Sequence, residues 1–456
     1  HISDLLSIKY WVIIGCKYLP STSLASVIFE IGSQLKIIKG GYYDTTHYDG
    51  AFSDCISLKS IEIPASVETI DIAAFKGCSM LTTITFGQDS QLKTIAGTSS
   101  CGAFSDCTSL TSIEIPASVE TIGVTAFKGC SSLATVAFEK GSQLKTIAGG
   151  STAYYYQGVF SDCISLTSIE IPANVETIEA TAFKGCSSLT TVTFEKGSRL
   201  KKISASAFDG SKLEQIEIPA KVTEIAGGTF KDYETLKTIS FESGSQLKSI
   251  GASAFNGCIS LISIIIPASV ETIGQKAFNK CLSLRTVSFE VGSLLNTIEG
   301  GYYYNSGTSQ VIEYCGAFCN CISLTEIEIP ASVETIKTTA FHGCSSLTTV
   351  AFEKGSQLKK ISGSSIYATS AFFSATNLMT VDMSECKQVE YLGDNAFSSC
   401  SKLRLFKIGT RNPPSCGSNT FHPESFSVLQ VPLNSIDAYK ASDGWKCFPS
   451  ITGLDE

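Results

Sequence analysis

The chain has 456 residues, 43% of them hydrophobic and only 17% charged, with a net charge of −8. No basic cluster occurs anywhere, which argues against electrostatic capture of nucleic acid or of an anionic membrane surface. No stretch approaches the roughly 18 to 20 apolar residues that cross a bilayer, so no direct membrane insertion is expected. The piece Tyr10-Trp11-Val12-Ile13-Ile14 is too short and lacks the flanks of a secretion signal.

Residues 1–20 read as an incomplete N-terminal repeat or cap. They start at His1, part-way through a unit, as in a processed form or a fragment whose export signal or anchor lies outside it. From 21 to 410 one phrase recurs: AF-x-x-C-x-x-L-x-x-I-x-I-P-A-x-V-E-T-I. Its Phe falls at 52, 75, 104, 127, 160, 183, 208, 230, 255, 278, 318, 341, 372 and 397. A fixed period of this kind predicts a repeat solenoid. Each coil then contacts only its neighbours, and chain length does not translate into several globular domains.

Two coil types alternate. The short one advances 23 residues, from Phe104 to Phe127; the long one advances 25 or more, as from Phe183 to Phe208. In each, L-x-x-I-x-I (Leu110, Ile113, Ile115) alternates apolar residues as a half-buried strand does, and V-x-x-I (Val119, Ile122) supplies a second short segment. Pro64, Pro116, Pro172, Pro219, Pro267 and Pro330 close the first segment of short coils, because proline cannot donate to a sheet ladder. Coils stacked about 4.8 Å apart would give parallel sheets over a continuous core, and fourteen of them a curved rod about 70 Å long. Glu68, Glu120, Glu176, Glu271 and Glu334 of short coils match Lys93, Lys145, Lys201, Lys248 and Lys359 of long ones. Stacking is expected to place these rows beside each other with alternating sign.

The units LTSIEIPASVETIGVTAFKGCSSL (110–133) and LTSIEIPANVETIEATAFKGCSSL (166–189) closely resemble the BspA-like, or Treponema pallidum-type, leucine-rich repeat. The resemblance implies a right-handed superhelix with a parallel β-sheet on its concave face. Short strands and turns would form the convex face, with few helical turns. Residues 412–448, within a proposed cap at 411–456, resemble the C-terminal cap of surface leucine-rich proteins from anaerobic bacteria. A secreted or cell-surface binding protein is thereby implied, adhesin-like toward host matrix proteins or other cells, and a monomer is expected.

Eleven of the 18 cysteines lie three residues after the AF Phe, in a slot that also holds Ser211, Tyr233 and Ala375. Such a slot reads as a packing position filled by free thiols, Cys55 included. Cys416 and Cys447 share the proposed cap, and whether they bridge is open. The histidines are single and scattered, His342 standing where AFKGC has Lys, which reads as a surface substitution. No metal site, cofactor or catalytic constellation is expected, and the chain is not read as an enzyme.

Two surfaces could bind. The outward residues of the concave sheet form a smooth Ser/Thr face with a Glu stripe at Glu62, Glu114, Glu170, Glu217 and Glu328, lacking the aromatic or Arg anchors of a hot spot. The sharper candidate is a set of insertions near 40–50, 97–102, 149–158, 300–316 and 363–370, where the shortest long coil has only Ser-Ala-Ser-Ala at 204–207. They hold 11 of the 16 tyrosines: Tyr42, Tyr43, Tyr48, Tyr154, Tyr155, Tyr156, Tyr302, Tyr303, Tyr304, Tyr314 and Tyr367. Tyrosine among Gly and Ser is paratope chemistry, and insertions in a solenoid map to one side. Protein recognition leads; sugar stacking on the rings, packing of the loops on one another, and a ligand-free spacer are the alternatives.

Overall fold

The computed structural model describes residues 5–8, 24–42, 48–150, 157–305, 310–364, 369–422 and 427–454. The chain forms two compact units, His1–Val222 and Thr223–Glu456, each a leucine-rich-repeat solenoid, with about 15 turns in all and one short helix among the described residues.

In the first unit the four-residue strands Leu5–Ile8, Ser26–Phe29, Ser60–Ile63 and Thr83–Phe86 pair in parallel, in that order. A second run follows through Ser112–Ile115, Thr135–Phe138, Ser168–Ile171, Thr191–Phe194 and Gln215–Ile218. In the second unit Thr238–Phe241, Ser263–Ile266, Thr286–Phe289, Glu326–Ile329, Thr349–Phe352, Thr380–Met383, Leu405–Ile408, Val428–Val431 and Ser450–Gly453 do the same. The predicted second segment of each coil shrinks to two-residue strands such as Thr121–Ile122 and Thr335–Ile336, also parallel. Register is strict: Ile113 lies beside Val136, and Ile264 beside Val287. Alternation follows from it, since a one-residue slip would turn every buried Ile or Val out to water.

Proline acts where the sequence placed it. Each short-coil strand ends before Pro, whose carbonyl accepts the Val amide three residues on, as from Val119 to Pro116 at 3.1 Å. Three of the expected cross-coil ion pairs, Glu176–Lys201, Lys248–Glu271 and Glu334–Lys359, span 2.6–2.9 Å, and Lys36, which was not among the expected lysines, meets Glu68 at 2.7 Å. All are exposed, so they mark register more than they add stability.

The core is a column of rings. Phe52, Phe75, Phe104, Phe127, Phe160, Phe183 and Phe208 stack at centroid spacings of 5.0–5.6 Å in the first unit. Phe230, Phe255, Phe278, Phe318, Phe341, Phe372, Phe397 and Phe421 repeat this in the second. These spacings are close to the strand repeat, so the rings sit as near-parallel copies in an offset stack.

Beside the rings runs a thiol column, and here packing alone is too weak a description. Cys78, Cys107, Cys130, Cys163 and Cys186 each place Sγ 3.0–3.3 Å from the Phe carbonyl of the preceding coil. Cys258, Cys281, Cys321 and Cys344 repeat the contact in the second unit. Each thiol thus adds a donor to a turn carbonyl that joins no sheet; these carbonyls, that of Phe230 apart, already accept the amide of the Cys in their own coil. Burial pushes the Cys130 and Cys186 thiols up to about 12, which keeps them unreactive. Cys55 corrects the uniform free-thiol expectation, being disulfide-bonded, whereas Cys416 and Cys447 are free.

Ser211 shows why the slot favours sulfur: its shorter hydroxyl is buried without a partner. Ser211→Cys is expected to raise the stability of the first unit by about 1 kcal/mol, read as a higher denaturant midpoint. A lower midpoint would show that the slot cannot admit the larger atom. Titration of the denatured, unreduced chain should find sixteen thiols, the number that are free among the described cysteines.

Candidate functional site

The insertions leave and re-enter their coils at one place, between the two-residue strand and the AF turn. Glycines mark both ends of four of them, and the insertion at 363–370 starts at Gly363 and ends at Ser370. Gly97 and Gly102 lie so close to the next coil that a Cβ on either would overlap the carbonyl oxygens of Val124 and Thr125; Gly300 and Gly316 face Thr338 and Thr339 in the same way. Only a residue without Cβ can approach backbone this tightly.

The residue two before the Phe of the following coil completes the anchor. It has positive φ throughout, at Thr125 (60°), Thr181 (62°), Thr339 (67°) and Asn395 (57°). A β-branched residue is costly there, by about 1–3 kcal/mol, and its side chain supplies a compensating bond. Thr125 Oγ1 donates to the Thr98 carbonyl at 2.8 Å, Thr339 Oγ1 to Gly301 at 2.6 Å, and Asn395 Nδ2 to Ser364 at 3.2 Å. Thr181 Oγ1 accepts the Gly150 amide at 3.3 Å. These clamps tie the described ends of the insertions at 97–102 and 149–158 to the turns of the first unit, and the described ends of those at 300–316 and 363–370 to the turns of the second. The Gly40–Tyr42 and Tyr48–Gly50 hairpin sits likewise, its glycines against Ile72 and Ala73.

The described tyrosines divide by role. Tyr42 pairs with Tyr48 across the first hairpin. Tyr302–Asn305 and Gln310–Tyr314 form another, in which Tyr302 faces Tyr314, Tyr303 faces Glu313 and Tyr304 faces Val311. Tyr302 OH lies 3.4 Å from Ser364 Oγ of the next insertion. Tyr303 is 55% exposed and lies over the Lys276 ammonium, 5.1 Å from its ring centroid; that ammonium binds Glu313 at 2.6 Å. Tyr314 instead turns inward and stacks on His342 at 3.8 Å. Tyr43, Tyr154, Tyr155, Tyr156 and Tyr367 lie outside the described residues.

His342 corrects the surface expectation. It is 8% exposed, held between Tyr314 and Phe373, and burial depresses its imidazole to about 4. Lys276 and the clamp residues Thr125, Thr181, Thr339 and Asn395 were not singled out from sequence. Thr directly before AF, in the coil after an insertion, was the available signal.

On the sheet face the Glu stripe is exposed, and Ile265, 59% exposed, interrupts it. Among the described residues no cluster of His, Cys, Asp or Glu could hold a metal, and no helix is long and apolar enough to cross a membrane.

Tyr303→Ser is expected to change stability by less than about 0.5 kcal/mol, and Tyr314→Ser to lower it by about 2 kcal/mol. Thermal unfolding monitored by circular dichroism separates them; equal losses would mean that both rings are structural.

The family described as BspA type leucine rich repeat region matches residues 45–155, 153–285, 240–316 and 311–441. Among solved structures the chain is similar to a leucine rich cell surface protein from Faecalibacterium prausnitzii A2-165, at 24% identity over 76% of this chain and 86% of that one, TM-score 0.34. It is also similar to a leucine-rich repeat protein from Bacteroides ovatus ATCC 8483, at 22% identity over 84% and 89%, TM-score 0.43. A T. pallidum leucine rich repeat protein matches at 25% identity over 44% and 83%, TM-score 0.32. No curated protein matches. Repeats of this class serve in general as binding or scaffold modules rather than catalysts. The match to the repeat family spans most of the chain, and the protein belongs to the BspA-type leucine-rich repeat family.

Proposed function

We propose that the protein is an extracellular or cell-surface binding protein, adhesin-like, that presents its tyrosine-rich insertions to a macromolecular partner. The observation that carries this reading is the common anchoring of the insertions: within each unit, glycines and side-chain clamps tie their described ends to the coil turns. A row of hairpins held by a rigid scaffold lowers the ordering cost that mobile loops meet on binding. Tyr303 supports a protein partner through its exposed, amphipathic ring, and Lys276 beneath it limits the ring's freedom. The same exposed face favours a glycan as the second reading, since sugar rings stack on aromatic planes. Host matrix proteins are the first partners to examine.

The test is a binding screen against matrix proteins and glycans, with the full chain beside a variant in which 300–316 is replaced by Ser-Ala-Ser-Ala. That sequence already closes a long coil at 204–207, so the variant should fold. Loss of binding by at least tenfold with unchanged circular dichroism is expected. Undiminished binding by the variant would sink the role given to Tyr302, Tyr303, Tyr304 and Tyr314.

A further inference from the structure

We propose that the Tyr302–Tyr314 hairpin is an acid-released arm, held closed by the neutral ring of His342 and freed when that ring takes up a proton. As regulation of the tyrosine surface the inference rests on the reading above; as a conformational change it needs no partner to be observed.

The geometry isolates the ring. His342 stacks on Tyr314 at 3.8 Å on one side and on Phe373 at 5.4 Å on the other, and its Nδ1 is buried without a hydrogen-bond partner. Its backbone is tied at both ends, the amide donating to Thr339 at 3.0 Å and the carbonyl accepting from Asn320 at 2.7 Å. The AF turn is therefore the fixed side of the contact and the hairpin the movable one. The rings that stack on it are uncharged: the hairpin brings Tyr314, whose neighbour Glu313 is bound to Lys276 at 2.6 Å, and the following coil brings Phe373. The preceding coil meets it through the Asn320 amide on its backbone carbonyl, and no charged neighbour shifts the imidazole. An imidazolium here would gain cation–π attraction from Tyr314, but it would bury a second N–H donor with no acceptor. Burial prevails and holds the ring at about 4, against an ordinary value of 6.5.

The sign follows from that depression. The neutral ring's contribution to closure is whole above pH 6.5, falls as pH drops, and is lost by about pH 4. The closed-to-open ratio should then fall by up to about two orders of magnitude across that window.

Hydrogen exchange of the full chain tests this, following the amides of Tyr302–Asn305 and Gln310–Tyr314 relative to Phe341 and Phe372 in the same sample. In the wild type, protection of the hairpin should drop at least tenfold between pH 6.5 and 4.5. His342→Phe, which puts in this slot the residue that the next coil carries at Phe373, should keep its protection. Glu313→Gln should leave the wild-type transition in place, showing that the ion pair to Lys276 is not the trigger. A flat wild-type profile, or the same drop in His342→Phe, overturns the proposal. If the arm opens as expected while partner binding ignores it, the latch stands and the tyrosine reading fails.

Discussion

Every coil must tolerate a near-copy of itself about 4.8 Å away, and the rest of the molecule depends on that constraint. A residue in this fold is selected less for what it does alone than for what a column of it does. Phenylalanine makes a continuous offset stack. Glutamate could not be repeated on every coil without adjacent like charges, and it alternates with lysine. Proline ends the strand in short coils only, and its partner coil uses a longer glycine-containing turn instead.

The thiol column shows the same logic applied to polar groups. Turn carbonyls beside the rings lie off the sheet ladders; those that the thiols meet accept, Phe230 apart, the amide of the Cys in their own coil and have a second lone pair to offer. Sulfur reaches the carbonyl of the preceding coil while filling the slot as a small hydrophobe. One side chain thereby serves packing and hydrogen bonding together, which explains why cysteine predominates over alanine there. The reactivity usual for so many thiols is suppressed by the same burial.

Stacking also governs how the array admits irregular segments. An insertion in one coil must pass the turn of the next at backbone contact, which favours glycine where it leaves and re-enters, although the insertion at 363–370 ends on Ser370. After four of the insertions the next coil answers with a left-handed Thr or Asn whose side chain bonds the insertion's base; after the first, the left-handed residue is Ala73. Local strain in one coil is thus offset by a bond to its neighbour, and those four insertions leave and re-enter where that exchange is available. The second unit carries the arrangement furthest, since Tyr302 joins one insertion to the next through Ser364.

Periodicity made most of this legible in advance. The strands, their proline stops and the charge rows could be read from spacing alone, because in a stacked array equal positions become neighbours. Glycine-bounded, tyrosine-rich insertions could likewise be recognised by contrast with Ser204-Ala205-Ser206-Ala207. What spacing could not decide was the fate of residues outside the period. Tyr303 and Tyr314 are alike in sequence, yet one is exposed over Lys276 and the other covers His342, because a two-stranded hairpin sends its residues to opposite faces and the two faces meet different coils. His342 was buried by a hairpin that folds over it, and the clamp role of Thr339 arises only where two coils touch. The sequence by itself determined the architecture, since a repeat encodes its own neighbours; the tertiary structure decided which of the exceptions to the repeat are scaffold and which are surface, since their contacts come from segments with no counterpart in the other coils.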